Sequence, residues 1–232
     1  MTETLTIETL DHNGSFNAYM ARPEGTPKAA VVVIQEIFGV NPGIRRKCDK
    51  LAEAGYLAIA PDLFWRIEPN VSLDPDIETE FQRALDLMGK LDQEAAVRDI
   101  EAAIHVARQE TGGGKVGCVG YCLGGRLAYM TAARTDVNAS VGYYGVGIDG
   151  LLREKHAIAH PLMLHIPTED HFVDKDAQKA MHDGLDDHPK LTLHDYPGQD
   201  HGFATEHGKR RDDEAANLAD GRTMDFFAEH LA

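Results

Sequence analysis

The segment Val116-Gly117-Cys118-Val119-Gly120-Tyr121-Cys122-Leu123-Gly124-Gly125 contains G-x-C-x-G, the cysteine form of a nucleophile elbow, in which a strand turns sharply into a helix. That chemistry needs this spacing because the nucleophile sits on strained backbone, and the flanking glycines let strand and helix approach without Cβ clashes. The Cys122 thiol would stand at the carboxyl edge of a sheet and at a helix N-terminus, whose partial positive charge favours thiolate. The amide of Leu123 would point at a developing oxyanion. A buried cysteine in a glycine-rich turn would give the same pentapeptide, so the reading depends on partners.

Those partners follow two later apolar runs. After Pro161 to Ile166 comes Thr168-Glu169-Asp170-His171, and after Leu191 to Tyr196 comes Gln199-Asp200-His201-Gly202. Nucleophile, acid and histidine in that order form the α/β-hydrolase arrangement. His201 would take or share the Cys122 proton while an acid after the earlier run, Asp170 or its neighbour Glu169, holds the imidazole tautomer; the resemblance given below selects Asp170. Glu169, His171 and Asp200 are neighbours that could be confused with them, although Asp200, adjacent to His201, reads as a turn residue. Cys118, on a strand run, and Cys48, between Lys47 and Asp49, read as buried filler. His156 and His160 are followed at once by Pro161, with no acid or cysteine at metal spacing, so neither metal nor cofactor is expected.

Positioning these residues calls for a sheet. Leu5, Ile7 and Thr9, a turn at Asp11-His12-Asn13-Gly14, then Phe16, Ala18 and Met20 alternate as an antiparallel hairpin. Short apolar runs follow at Ala29 to Ile34, Tyr56 to Ala60, Val116 to Gly120, Ala139 to Tyr144, Pro161 to Ile166 and Leu191 to Tyr196. Such runs suit a mainly parallel sheet covered on both faces. Helices are predicted over Gly43 to Ala54, Asp76 to Met88, Gln93 to Gln109, Leu123 to Arg134, Lys175 to Asp186 and Asp213 to His230. No linker or repeat divides the chain, so residues 1–232 read as one α/β domain. The irregular stretch Trp65 to Pro75 lies where a wall of the site could be built.

Composition excludes several alternatives. The 232 residues, 43% hydrophobic, can bury a full core, and three cysteines make no disulfide framework. With 23 Lys plus Arg against 38 Asp plus Glu, the net charge of −15 repels nucleic acid and anionic lipid. The longest aliphatic run, Ala29 to Ile34, cannot span a bilayer, and Met1-Thr2-Glu3-Thr4 lacks a signal-peptide pattern, so a soluble, cytoplasmic protein is expected.

Gln35-Glu36-Ile37-Phe38-Gly39-Val40-Asn41, Ala60-Pro61-Asp62-Leu63, Gly117 to Gly125, Val141-Gly142-Tyr143-Tyr144-Gly145, Asp170-His171-Phe172-Val173 and Asp200-His201-Gly202-Phe203 together resemble the dienelactone hydrolase (carboxymethylenebutenolidase) family over nearly the whole chain. The resemblance implies an α/β-hydrolase fold with a Cys122, Asp170 and His201 triad, a monomer, and a small-molecule ester or lactone substrate. It also implies that Glu36 meets the resting thiol until substrate releases it, and that the Ile37 amide joins Leu123 in the oxyanion hole.

Family members that cleave dienelactones clamp the substrate carboxylate with two arginines. In ungapped alignment from Leu73-Asp74-Pro75 these fall on Phe81 and, four residues beyond the histidine, on Thr205; two pocket aromatics fall on Leu85 and Met88. Phe38, Tyr144 and Phe203 complete the candidate pocket. Arg83, about 200° around the helix from Phe81, cannot replace the clamp, while Arg66, Lys209, Arg210 and Arg211 are candidates whose ordinary role is surface charge. The expected pocket is therefore apolar and less anion-selective, which favours an ester or lactone hydrolase over a strict dienelactone hydrolase. A general esterase or thioesterase, and a redox-sensing or binding protein built on the same fold, are the rivals.

Overall fold

The computed structural model describes residues 1–206 and 208–232. Among these, the strands are β1 (Thr2–Glu8), β2 (Ser15–Ala21), β3 (Ala30–Ile34), β4 (Leu57–Pro61), β5 (Val116–Tyr121), β6 (Ala139–Tyr143), β7 (Leu162–Pro167) and β8 (Leu191–Tyr196). They form one sheet in the order β1-β2-β4-β3-β5-β6-β7-β8, antiparallel where β2 meets its two neighbours and parallel from β4 to β8. Every residue of β3, β4, β5, β6 and β7 is buried, the consequence of covering both faces. The edge strands β1 and β8 keep exposed positions.

Helices α1 (Pro42–Glu53) and α6 (Asp213–Leu231) pack on one face, through Ile44, Leu51, Ala219 and Phe227. On the other lie α2 (Glu78–Lys90), α3 (Gln93–Glu110), α4 (Leu123–Arg134) and α5 (Lys175–Leu185). Side chains fix several helix starts by accepting from first-turn amides that lack an intrahelical acceptor: Asn41 from Ile44, Asp92 from Ala95, Asp174 from Ala177 and Asp212 from Ala215, at 2.8–3.1 Å. None of the described helices is long and apolar enough to cross a membrane.

Three local features differ from the sequence expectation. Helix α2 begins at Glu78 rather than Asp76, because the Asp76 amide donates to the Asp74 carboxylate and Ile77 stays extended. A 3-10 segment, Asp149–Ala157, packs beside α5 with no fully buried residue and so carries no apolar period to read. Thr9 lies past the end of β1, where its hydroxyl donates to Asp11 and so closes the hairpin turn. The stretch 65–75 is tied to the body rather than lying free: Trp65 and Arg66 bond to buried Asp99, and the Leu73 amide donates to the Phe38 carbonyl.

Candidate active site

Because β3, β5, β7 and β8 run parallel, the loops at their carboxyl ends meet at one edge of the sheet. Those loops carry Glu36, Cys122, Asp170 and His201 respectively.

Cys122 caps α4 with φ 57° and ψ −116°, a backbone conformation that a side-chain-bearing residue rarely adopts. The bend is held by the Cys122 amide donating to Tyr143 at 3.0 Å and by its carbonyl accepting from Gly125 at 2.9 Å. Strand and helix come so close that a Cβ on Gly120 would stand 1.8 Å from the Gly124 carbonyl oxygen, and one on Gly124 would stand 2.4 Å from that of Ile34. The two glycines of the pentapeptide are therefore steric requirements of the elbow. Leu123 occupies the first helical position, where amides have no intrahelical acceptor.

The imidazole of His201, 4% exposed, pairs through Nδ1 with the Asp170 carboxylate at 2.9 and 3.1 Å. Asp170 is held in turn by accepting from the amides of Phe172 and Val173. Nε2 of His201 is buried and makes no well-directed hydrogen bond among the described residues. Burial lowers the pKa of His201, but the electrostatic influence of Cys122 and the hydrogen bond and charge of Asp170 outweigh it and raise the value to about 10.

The neighbours that could have been confused with these residues have other duties. Asp200 accepts from the His171 ring and from the amides of His171 and His201, so it staples the two loops together. Glu169 is exposed and paired with Lys175.

Glu36 keeps partial exposure where it lines the cavity, yet protein encloses it on its other sides. Burial raises its pKa, opposed by the charges of His201 and Lys47, by a hydrogen bond from Tyr144 and by the charge of Arg210. The Tyr144 hydroxyl donates to Glu36 Oε1 at 3.5 Å.

A cavity of about 570 Å³ opens above Cys122. Phe38, Phe81, Leu85, Met88 and Thr205 line it, together with Ile37 and Leu123. Two expected wall residues do not reach it. Tyr144, at φ 38°, turns out of the strand end and is buried behind Glu36. Phe203, 1% exposed, packs inward against Tyr196 and Tyr144, with ring centroids at 4.8 and 5.7 Å. Both belong to the layer supporting the site.

Sequence reasoning did not assign Leu91, Arg126, Val146 and Phe172 to the wall. They come from separate loops and helix ends that share no motif; only Phe172, two residues after the acid, stood within a recognisable string. Of the arginines, Arg66 and Arg83 are paired with Asp99 and Glu68, and Arg211 is paired with Asp213. Lys209 and Arg210 lie on the cavity rim.

Comparison with known proteins bears on the family and the fold. The family model described as "Dienelactone hydrolase family" matches residues 16–231. A putative carboxymethylenebutenolidase of Azospirillum brasilense is 44% identical over 226 residues, 94% of this chain and 95% of that one. The carboxymethylenebutenolidase of Pseudomonas putida is 40% identical over 229 residues, 98% and 97% of the two chains. The crystal structure of a putative dienelactone hydrolase from Klebsiella pneumoniae superposes with a TM-score of 0.84 at 28% identity, over 99% of each chain. With the family model matching residues 16–231 and relatives aligned over nearly the whole chain, this chain is an α/β-hydrolase-fold protein that belongs to the dienelactone hydrolase family.

Proposed function

We propose that the protein hydrolyses a small ester or lactone through Cys122, with a thioester intermediate. The observation that carries this reading is the convergence of Asp170, His201 and Cys122, with His201 buried between a carboxylate and a thiol and its pKa raised to about 10. An imidazolium so stabilised can hold the proton that Cys122 gives up.

Cys122 sulfur attacks the carbonyl carbon, and the carbonyl electrons move onto oxygen, which the amides of Leu123 and Ile37 receive. On collapse the C–O bond breaks and His201 gives its proton to the departing oxygen. Water then attacks the thioester, delivering a proton to His201, and the thiol leaves with the acid as product. One water is consumed per bond cleaved. An enol-lactone suits this site, since its enolate needs little help to depart. Glu36, kept from easy ionisation by burial and anchored by Tyr144, is the second proton-holding group beside the thiol. In that role it would keep the resting thiol protonated, which protects it from oxidation.

The test is turnover of p-nitrophenyl acetate and of a neutral enol-lactone by the protein and by Cys122→Ala. Hydrolysis confined to the unsubstituted protein supports the reading. Activity that survives the substitution overturns the nucleophile, and no turnover of any ester favours a thiol that is modified rather than cycled.

A further inference from the structure

A second, much smaller chamber adjoins the main cavity at Glu36. Its volume is about 10 Å³, and its polar lining is Glu36, Lys47, Tyr144, Thr205 and Glu206. Glu36 and Thr205 line the main cavity as well, so they stand between the two. Lys47 is hard to explain by packing. It lies on the same face of α1 as Ile44, Cys48 and Leu51, where the helical period calls for an apolar side chain, and it is the one buried lysine or arginine among the described residues. Its ammonium donates to both Asp220 oxygens at 3.0 Å and lies 3.1 Å from Glu206 Oε1, with the Tyr121 and Tyr143 ring centroids at 5.1 and 5.8 Å. A buried ion pair adds little stability over a well-packed apolar residue, so a cation kept here points to another use. The Thr205 hydroxyl is the second anomaly: it is buried and has no hydrogen-bond partner among the described residues.

Burying a hydroxyl without a partner is costly, and a polar chamber of this size takes about one water. An ammonium has three N–H donors; one shared by the Asp220 oxygens and one directed at Glu206 leave a third. We propose that the chamber binds one water molecule, which accepts from Lys47, donates to Glu36 and is held by the Thr205 hydroxyl, making Lys47 and Thr205 positioning residues for the Glu36 carboxylate. Glu36 shares the main cavity with Cys122, His201 and Arg210, and the chamber with Tyr144, Lys47 and Glu206. An apolar substrate filling the main cavity displaces solvent from one side of Glu36. The chamber water stays on the other side, so the carboxylate keeps a polar partner through the cycle. Burial raises the Glu36 pKa and the Lys47 charge opposes that rise, the direction this arrangement requires. The inference rests on the role given to Glu36 in the hydrolase reading above.

A high-resolution crystal structure of the protein should show one ordered water within hydrogen-bonding distance of Thr205 Oγ1, Lys47 Nζ and the Glu36 carboxylate. No ordered water there, or a Thr205 hydroxyl bonded to protein instead, overturns the proposal. The pH profile of Cys122 alkylation by iodoacetamide, set against that of Glu36→Gln, isolates the step at which Glu36 ionises. Thr205→Val, which is nearly isosteric, and Lys47→Met should each move that step up by about one pH unit, because the carboxylate loses a hydrogen-bonded water or a cation. Lys47→Met leaves both acids with partners, since Glu206 keeps Lys50 and Arg211 and Asp220 keeps the Tyr143 hydroxyl. In a Glu36→Gln background neither substitution should shift the profile, whereas a merely structural role would move both backgrounds alike and so overturn the proposal. A Glu36-dependent step that is absent, or unmoved by both substitutions, also overturns it. Alkylation needs no turnover, so the two claims fail separately. Ester hydrolysis that survives Cys122→Ala would sink the hydrolase reading alone, and an unmoved step beside Cys122-dependent hydrolysis would sink the water site alone.

Discussion

Two buried histidines sit on neighbouring stretches of this chain, and the protein surrounds them in opposite ways. His165 on β7 is 1% exposed and His201 after β8 is 4% exposed, so burial alone does not separate them. His165 faces hydroxyls: Nδ1 pairs with Tyr196 at 2.7 Å and Nε2 with Thr223 at 3.0 Å. With no carboxylate to offset burial, and with the charges of His194, Arg222 and Lys47 adding to it, its pKa falls well below 6.5. His201 faces Asp170 and Cys122, and its pKa rises to about 10 against the same penalty. A buried imidazole becomes a proton carrier only when the surrounding protein supplies counter-charge.

The cysteines repeat the contrast. Cys118, hydrogen-bonded to Ser140 at 3.3 Å, is pushed up to about 12 by burial, and burial pushes Cys48 up as well. Neither has a base beside it. Only Cys122 combines partial exposure, the elbow and a histidine.

The sharpest way to break the comparison is to exchange the histidines' fates by mutation. His201→Gln should lower kcat for ester hydrolysis by about 10⁴-fold, while His165→Gln should stay within about threefold in whatever fraction folds. Comparable losses in steady-state rates would show that the contrast has no catalytic meaning. Asp170→Asn should come next, costing about 10³-fold in kcat with a smaller change in KM, because it removes the charge and the tautomer control from the better-placed ring. A loss expressed only in KM would contradict that role. Gly120→Ala tests the elbow itself: a methyl 1.8 Å from the Gly124 oxygen should destabilise by about 2–4 kcal/mol in urea unfolding, and an unchanged midpoint would count against the close approach.

A further test is in pH dependence, and there the two histidines should differ in sign. His201, raised in the folded state, adds stability that is fully present below pH 6.5 and is lost as pH rises toward 10. His165, lowered in the folded state, adds none at high pH, and it costs stability as pH falls below 6.5 because the unfolded chain takes up a proton the native state refuses. Each proton changes the slope by about 1.4 kcal/mol per pH unit. Denaturation at several pH values should therefore show His201→Gln flattening the alkaline limb and His165→Gln flattening the acid limb.

Much of this was legible in the chain itself. The strand run Val116 to Gly120 became β5 (Val116–Tyr121), the triad order matched three strand ends, and the elbow glycines proved to be the points of closest approach. Local pattern carried that information because apolar runs, turn residues and strand ends are sequence-local. The cavity wall was less legible: Leu91, Val146 and Phe172 meet only after the chain folds, and no period links them. Tyr144 and Phe203 were displaced inward for the same reason, since a positive φ and a packing partner decide which side of a loop a ring takes. The basic residues could not be sorted by sequence either, because Arg66, Arg211 and Arg210 differ only in whether an acid folds against them.

The central claim is that Cys122 carries the acyl group. Mixing the protein with p-nitrophenyl acetate, quenching in acid within the first turnover and mapping the modified peptide by mass spectrometry tests it directly. The account predicts one acetyl group per chain, on the peptide that contains Cys122 and on the thiol, with a longer-lived adduct in Asp170→Asn. An acetyl group on any other side chain, or release of nitrophenol with no acyl-protein formed, would contradict it.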